Sequence, residues 1–74
     1  MNYRFEIMSK FYNIPVSATV DMDAAMDKAA EKFHSYPGHV WQLGFEMGWL
    51  MENGYEAASR KAGASIDEYM EEEN

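Results

Sequence analysis

The chain has 74 residues, 47% hydrophobic and 15% aromatic, with 13 Asp+Glu against 6 Lys+Arg for a net charge of −7. That length supports one domain, and the composition is too apolar for a disordered chain. The lack of cysteine excludes a disulfide framework and a thiolate nucleophile, and the acidity makes a poor ligand for nucleic-acid phosphates or anionic membranes.

At the N-terminus Tyr3, Phe5 and Ile7 alternate with Asn2, Arg4 and Glu6. Period two is the signature of a half-buried strand. A polar stripe at helical spacing, Asn2, Glu6, Ser9 and Asn13, competes with that reading. Pro15 disfavours a helix at Ile14, and Val16, Ala18 and Val20 alternate with Ser17 and Thr19, which favours strands. The pattern therefore predicts two strands, over about 3–11 and 15–20, paired as an antiparallel hairpin.

A helix is predicted next, capped by Asp21 or Asp23, with Met22, Met26, Ala29 and Phe33 on its apolar face. Ser35-Tyr36-Pro37-Gly38 ends it. A second helix over about 39–53 groups Val40, Leu43, Met47, Leu50 and Met51 on one face and Trp41, Phe45 and Trp49 on another. Gly44 and Gly48 lie between these faces and are expected to let this helix pack closely within the chain. Asn53-Gly54 is a stop signal. A short helical stretch over about 55–62 is expected to end at Gly63, with Ser65-Ile66-Asp67-Glu68 as a capping box for a last turn. The fold class so predicted is α+β: a two-stranded antiparallel hairpin followed by two to three helices, one domain over residues 1–70, and an acidic tail over 71–74.

Little here supports catalysis. His34 and His39 flank a Pro-Gly turn but lack placed co-ligands, so no metal or cofactor is expected. Asp21-x-Asp23-x-x-x-Asp27 lacks the glycine and terminal glutamate of a calcium loop. No nucleophile elbow, triad or glycine-rich phosphate loop is present, which argues against an enzyme. Two segments, 8–20 and 58–69, have a helix-turn-helix rhythm, yet their second helices carry acid, which excludes direct DNA reading. There is no long apolar segment for a signal peptide or membrane span, so the expected location is cytoplasmic.

What remains is association with another protein. The expected partner has a basic, nucleic-acid-binding surface, attracted by Asp23, Asp27, Glu31, Asp67, Glu68, Glu71 and Glu72, with Trp41, Trp49 and Tyr69 as anchors. Trp49 matters most to this reading, because it projects between Gln42, Glu46 and Asn53 in the stripe that should be wet. In size and charge the chain resembles the small acidic inhibitors of phages and mobile elements, including anti-restriction and anti-CRISPR proteins. That resemblance rests on general character and implies an inhibitor or DNA mimic. The alternative is a self-associating structural or accessory subunit, a homodimer through helix 40–53, whose acid serves solubility.

Overall fold

A computed structural model describes residues 3–32 and 38–72, the side chain of Glu72 excepted. Four helices follow in order: α1 (Tyr3–Tyr12), α2 (Val16–Ala30), α3 (His39–Glu52) and α4 (Glu56–Glu72). They form two helical hairpins. The α3–α4 contact is the most extensive, α1 packs on α2 and more lightly on α4, α2 packs on α3, and the backbones of α2 and α4 do not approach closely.

The two hairpins close by the same backbone device. Asn13 adopts a left-handed conformation at φ +56°, and the Ile14 N–H reaches back to the Ser9 carbonyl at 3.1 Å. Gly54 does likewise at φ +87°, with the Tyr55 N–H donating to the Leu50 carbonyl at 2.8 Å. Each is a six-to-one closure that satisfies a terminal helix carbonyl, and the residue after the turn, Ile14 or Tyr55, packs on the core. Pro15 then caps α2 in an extended conformation and supplies acceptor carbonyl oxygen to Ala18 and Thr19. A proline at a helix start has no amide hydrogen to waste, because that group lacks an intrahelical partner there anyway.

The α+β expectation is overturned, since the described residues contain four helices and no strand. Both segments predicted as strands are helical. The apparent alternation fails on burial: Tyr3 is 70% and Ile7 55% exposed, and Val16 and Val20 are exposed while Ala18 between them is buried. The faces that bury are helical instead, with Met8 and Tyr12 inward on α1 and Ala18, Met22 and Met26 inward on α2. Pro15 does keep Ile14 out of a helix, but the chain starts a new helix one residue later rather than a strand. Asp21 and Asp23 accordingly lie inside α2 and cap nothing. The position of Phe33 in the predicted apolar stripe lies outside the described residues.

The short helix ending at Gly63 is also corrected, because α4 runs unbroken through Gly63 for 17 residues. Ser65 is no cap; its hydroxyl donates to the Lys61 carbonyl one turn back at 3.2 Å. Continuity has a packing reason. Ala58, Ser59, Ala62 and Gly63 form a small-residue face that lets α4 approach α3 closely. Ser59 donates to the Met47 carbonyl at 2.7 Å, and the Met47 sulfur lies 3.4 Å from where a Cβ on Gly63 would stand. Lys61 ties α4 to the end of α1, with Nζ 2.6 Å from the Phe11 carbonyl and 4.3 Å from its ring centroid. A cation at a helix C-terminus satisfies an open carbonyl and complements the helix dipole.

The core is Tyr12, Ile14, Ala18, Met22, Leu50, Ala58 and Ala62, with Met8, Trp49 and Tyr55 packed against it. Three of its seven members are alanines, so the interior is thin. Two glycine substitutions separate the roles assigned above. Gly63→Ala should raise the thermal midpoint, by about 0.5–1 kcal/mol, since a methyl fits against the flexible Met47 side chain and alanine is the better helix former. Gly54→Ala should lower it by about 1 kcal/mol, because its left-handed backbone strains any side chain. Thermal melts followed by circular dichroism read both, and a destabilised Gly63→Ala would show that the Met47 side chain does not yield to the methyl.

Candidate functional site

The described residues contain one buried carboxylate, Glu46, only 7% exposed on α3. Its Oε1 accepts a hydrogen bond from the Tyr12 hydroxyl at 2.9 Å, which links α3 to the end of α1. Asp23 of α2 lies close enough to act on it electrostatically, and Asp23 in turn pairs with Arg4 at 3.1 Å. Three helices thus converge on one polar cluster. Burial holds the Glu46 carboxyl above its ordinary range. The Tyr12 hydrogen bond opposes that rise and the Asp23 charge adds to it. Burial, followed by the Glu46 charge and hydrogen bond, raises the Tyr12 phenol. Above this cluster opens a cleft of about 430 Å³, walled by Arg4, Ile7, Met8 and Phe11 and floored by Tyr12 and Glu46.

This cluster explains the odd stripe on α3. The sequence placed Trp49 in a wet stripe with Glu46, but that side of α3 faces inward. Glu46 and Leu50 are its buried residues, and Trp49 is half-buried, packed on the core and stacked on Tyr55 at 6.5 Å. Trp49 is therefore covered by the turn into α4 at one edge. Its other edge lines an open groove of about 430 Å³ with Gly44, Phe45, Gly48, Met51 and Glu52. A Cβ at Gly44 or Gly48 would meet no described atom within 4 Å. The expectation that these glycines pack within the chain is thereby corrected: α4 supplies the small residues for close approach, and the α3 glycines face outward.

The remaining candidates divide between the helices. Trp41 is half-buried and stacks on Phe45 at 5.7 Å. Tyr69 lies exposed beside His39, ring centroids 5.3 Å apart, where the last turns of α4 run along the first turn of α3. Asp67, Glu68 and Glu71 are exposed on that part of α4, and none pairs with a cation among the described residues. Asp27 and Glu31 are exposed on α2 but interleave with Lys28 and Lys32, and Asp23 is committed to Arg4. The seven carboxylates are therefore split between α2 and the end of α4, whose backbones do not approach closely. His34 and the Glu72 side chain lie outside the described residues. Among the described residues no group of three or more His, Cys, Asp or Glu could hold a metal ion, and no helix is long and apolar enough to cross a membrane.

Compared with family models, curated proteins and solved structures, the chain matches none. The sequence pattern alone did not single out Glu46 as the organising residue; its signal was an acid in mid-helix, four residues from both Gln42 and Leu50, in the helix poorest in charge.

The buried carboxyl gives a pH test. An acid whose pKa is raised by folding holds its proton more tightly in the folded state. Its ionisation therefore opposes folding above the folded pKa, and this penalty fades as pH falls toward the ordinary 4.5. Glu46→Gln, which keeps an acceptor for Tyr12, should gain about 1 kcal/mol over wild type at neutral pH and match it below the ordinary carboxylate range. Glu46→Ala should lose about 1–3 kcal/mol at both, because the Tyr12 hydroxyl loses its partner. Denaturant melts across that range check the sign, and a Gln variant weaker than wild type at neutral pH would show that the fold requires the charged form.

Proposed function

We propose that this chain is a non-catalytic, cytoplasmic interaction module, an inhibitor or modulator that binds a protein with a basic, nucleic-acid-binding surface. The observation that carries this reading is the acidic end of α4. Asp67, Glu68 and Glu71 stand exposed at the C-terminal end of a helix that has no basic residue in its last turn. Negative charge is unfavourable at the negative pole of a helix dipole, and Asp67 and Glu71 repel each other at i, i+4 spacing. The neighbouring N-terminus of α3 offsets part of that cost, but the carboxylates point to water. An external cationic surface compensates them fully, with Tyr69 at the centre of the patch as the aromatic anchor. The mixed charges of α2 contribute less, so the patch narrows from seven carboxylates to the α4 group and Tyr69.

Carboxylates arrayed along a helix resemble phosphates in charge alone, and such attraction weakens with salt. The test is capture of partners from a host-type lysate on tagged protein, with elution by a salt gradient and competition by duplex DNA. Glu68→Lys combined with Glu71→Lys should cut retention at least tenfold while leaving the thermal midpoint unchanged or higher, since lysines suit a helix C-terminus. Retention that ignores salt, DNA and both substitutions would rule out the basic-partner reading. A second reading, self-association through α3, is favoured by the open groove over Gly44 and Gly48.

A further inference from the structure

We infer that the outward row of α3, Val40, Gly44, Gly48 and Glu52, is a docking surface for a second copy of this chain in antiparallel orientation. The inference develops the self-association reading and is independent of the acidic end of α4.

These four residues recur at i, i+4 spacing and so form one straight ridge on the helix. Its centre is Gly44 and Gly48, where an added Cβ would meet no described atom of another element within 4 Å. Phe45, Trp49 and Met51 rise beside it as the apolar walls of the groove, Met51 being half exposed. Glycines in such a row allow two helix axes to approach closely, which is the same means by which Ala58, Ala62 and Gly63 bring α4 onto the other side of α3.

Charge selects the occupant. The chain carries −7 overall, yet Glu52 is the single charged residue on this row. A basic partner finds little to attract it here, and a second copy of an acidic chain finds the surface where repulsion is least. The ends of α3 also complement one another. Gly38 caps the helix with no side-chain oxygen and the first turn has no acid, while the last turn has no base and carries Glu52. Within one chain the C-terminal end is electrostatically mismatched, because last-turn carbonyls disfavour a nearby anion, whereas the first-turn N–H groups have only the solvent-exposed carboxylates of α4 beside them. A two-fold axis midway between Gly44 and Gly48 corrects this. It sets each Gly44 opposite the other copy's Gly48 and each Glu52 opposite the other copy's Val40, beside the positive end of that helix. The two Glu52 side chains then lie at opposite ends of the contact. A parallel pairing would place them together, so the charge pattern specifies the antiparallel form. Such an isologous contact closes after two copies.

The interior supplies a further reason. Only eight hydrophobic residues are buried among those described, whereas nine large hydrophobic ones are exposed. Contact between two 14-residue helices falls at the small end of specific interfaces, under about 1,200 Å², so association should be weak and concentration-dependent.

The test is sedimentation equilibrium of the full chain over roughly a hundredfold concentration range, with mass expected to rise from 8.5 kDa toward twice that value. Gly48→Leu is the informative variant. Its side chain enters open space in the single copy and improves helix propensity, so the thermal midpoint should not fall. Across the pairing it blocks approach, and the dimer should weaken at least tenfold. Glu52→Lys should weaken it too, by placing like signs together. Orientation is read by oxidising a mixture of Val40→Cys and Met51→Cys chains, which should give the mixed disulfide ahead of either symmetric one in a protein with no other cysteine. A wild type that stays at 8.5 kDa throughout, or a dimer that Gly48→Leu leaves intact, would overturn the inference. A monomer whose binding to a lysate protein is lost in Gly48→Leu would assign the groove to that protein instead. The Lys substitutions on α4 leave this row untouched, so failure of one proposal is distinguishable from failure of the other.

Discussion

The hydrogen bond from Tyr12 to Glu46 decides which way α3 faces. A carboxylate taken from water is costly unless a donor meets it, and the Tyr12 hydroxyl meets this one at 2.9 Å. With Glu46 and Leu50 turned inward, the opposite side of the helix must point to solvent, and that side carries Gly44, Gly48 and Met51. The protein thus exposes an apolar row because it buries a polar residue. Asp23 and Arg4 extend the cluster to α2 and the start of α1, so the two helical hairpins meet on a polar junction rather than on aliphatic side chains alone.

The junction leaves a small aliphatic core, and α4 compensates by proximity. Alanine, serine and glycine along one side of α4 bring its backbone near α3, where dispersion contacts are many although each is weak. Ser59 and Lys61 add hydrogen bonds to carbonyls of α3 and α1. The buried hydroxyl of Thr19 turns back on its own helix, 2.6 Å from the Val16 carbonyl, and also lies 3.5 Å from the Phe5 carbonyl of α1.

Only the middle of this arrangement was legible in the residues, and the misreadings at either end have specific causes. The helix over 39–53, its stop at Asn53-Gly54 and the Met22–Met26 face were readable because long periodic patterns and a glycine terminator are strong local signals. The first twenty residues misled because six alternating apolar positions also fit helices, and the polar stripe Asn2, Glu6, Ser9 and Asn13 lay beside the first three of them. Asn13 in the left-handed region ended α1 where a glycine would have been plainer, and Pro15 opened a helix rather than breaking one. Gly63 read as a terminator because its tertiary reason, the Met47 sulfur 3.4 Å from where a Cβ would stand, lies sixteen residues back in the chain. The inward turn of α3 was hidden for the same reason: only Tyr12, thirty-four residues from Glu46, makes that acid an interior residue.

The two proposed surfaces reinforce each other through their positions. The acidic end of α4 runs beside the first turn of α3, where the Tyr69 ring lies tilted against His39, whereas the row on α3 is centred on its glycines. Pairing about a two-fold axis on that row therefore leaves both α4 ends open and sets them on opposite sides of the axis. One copy offers a single small cluster of carboxylates, which as a solvent-exposed group binds weakly and is screened by salt. Two clusters held at a fixed separation make the second contact intramolecular, so a partner with two cationic sites at matching spacing gains affinity with no new chemistry, and a partner with one does not. On this view the weak pairing of α3 is a means of selecting among basic proteins, because charge attracts all of them and only geometry distinguishes one from another.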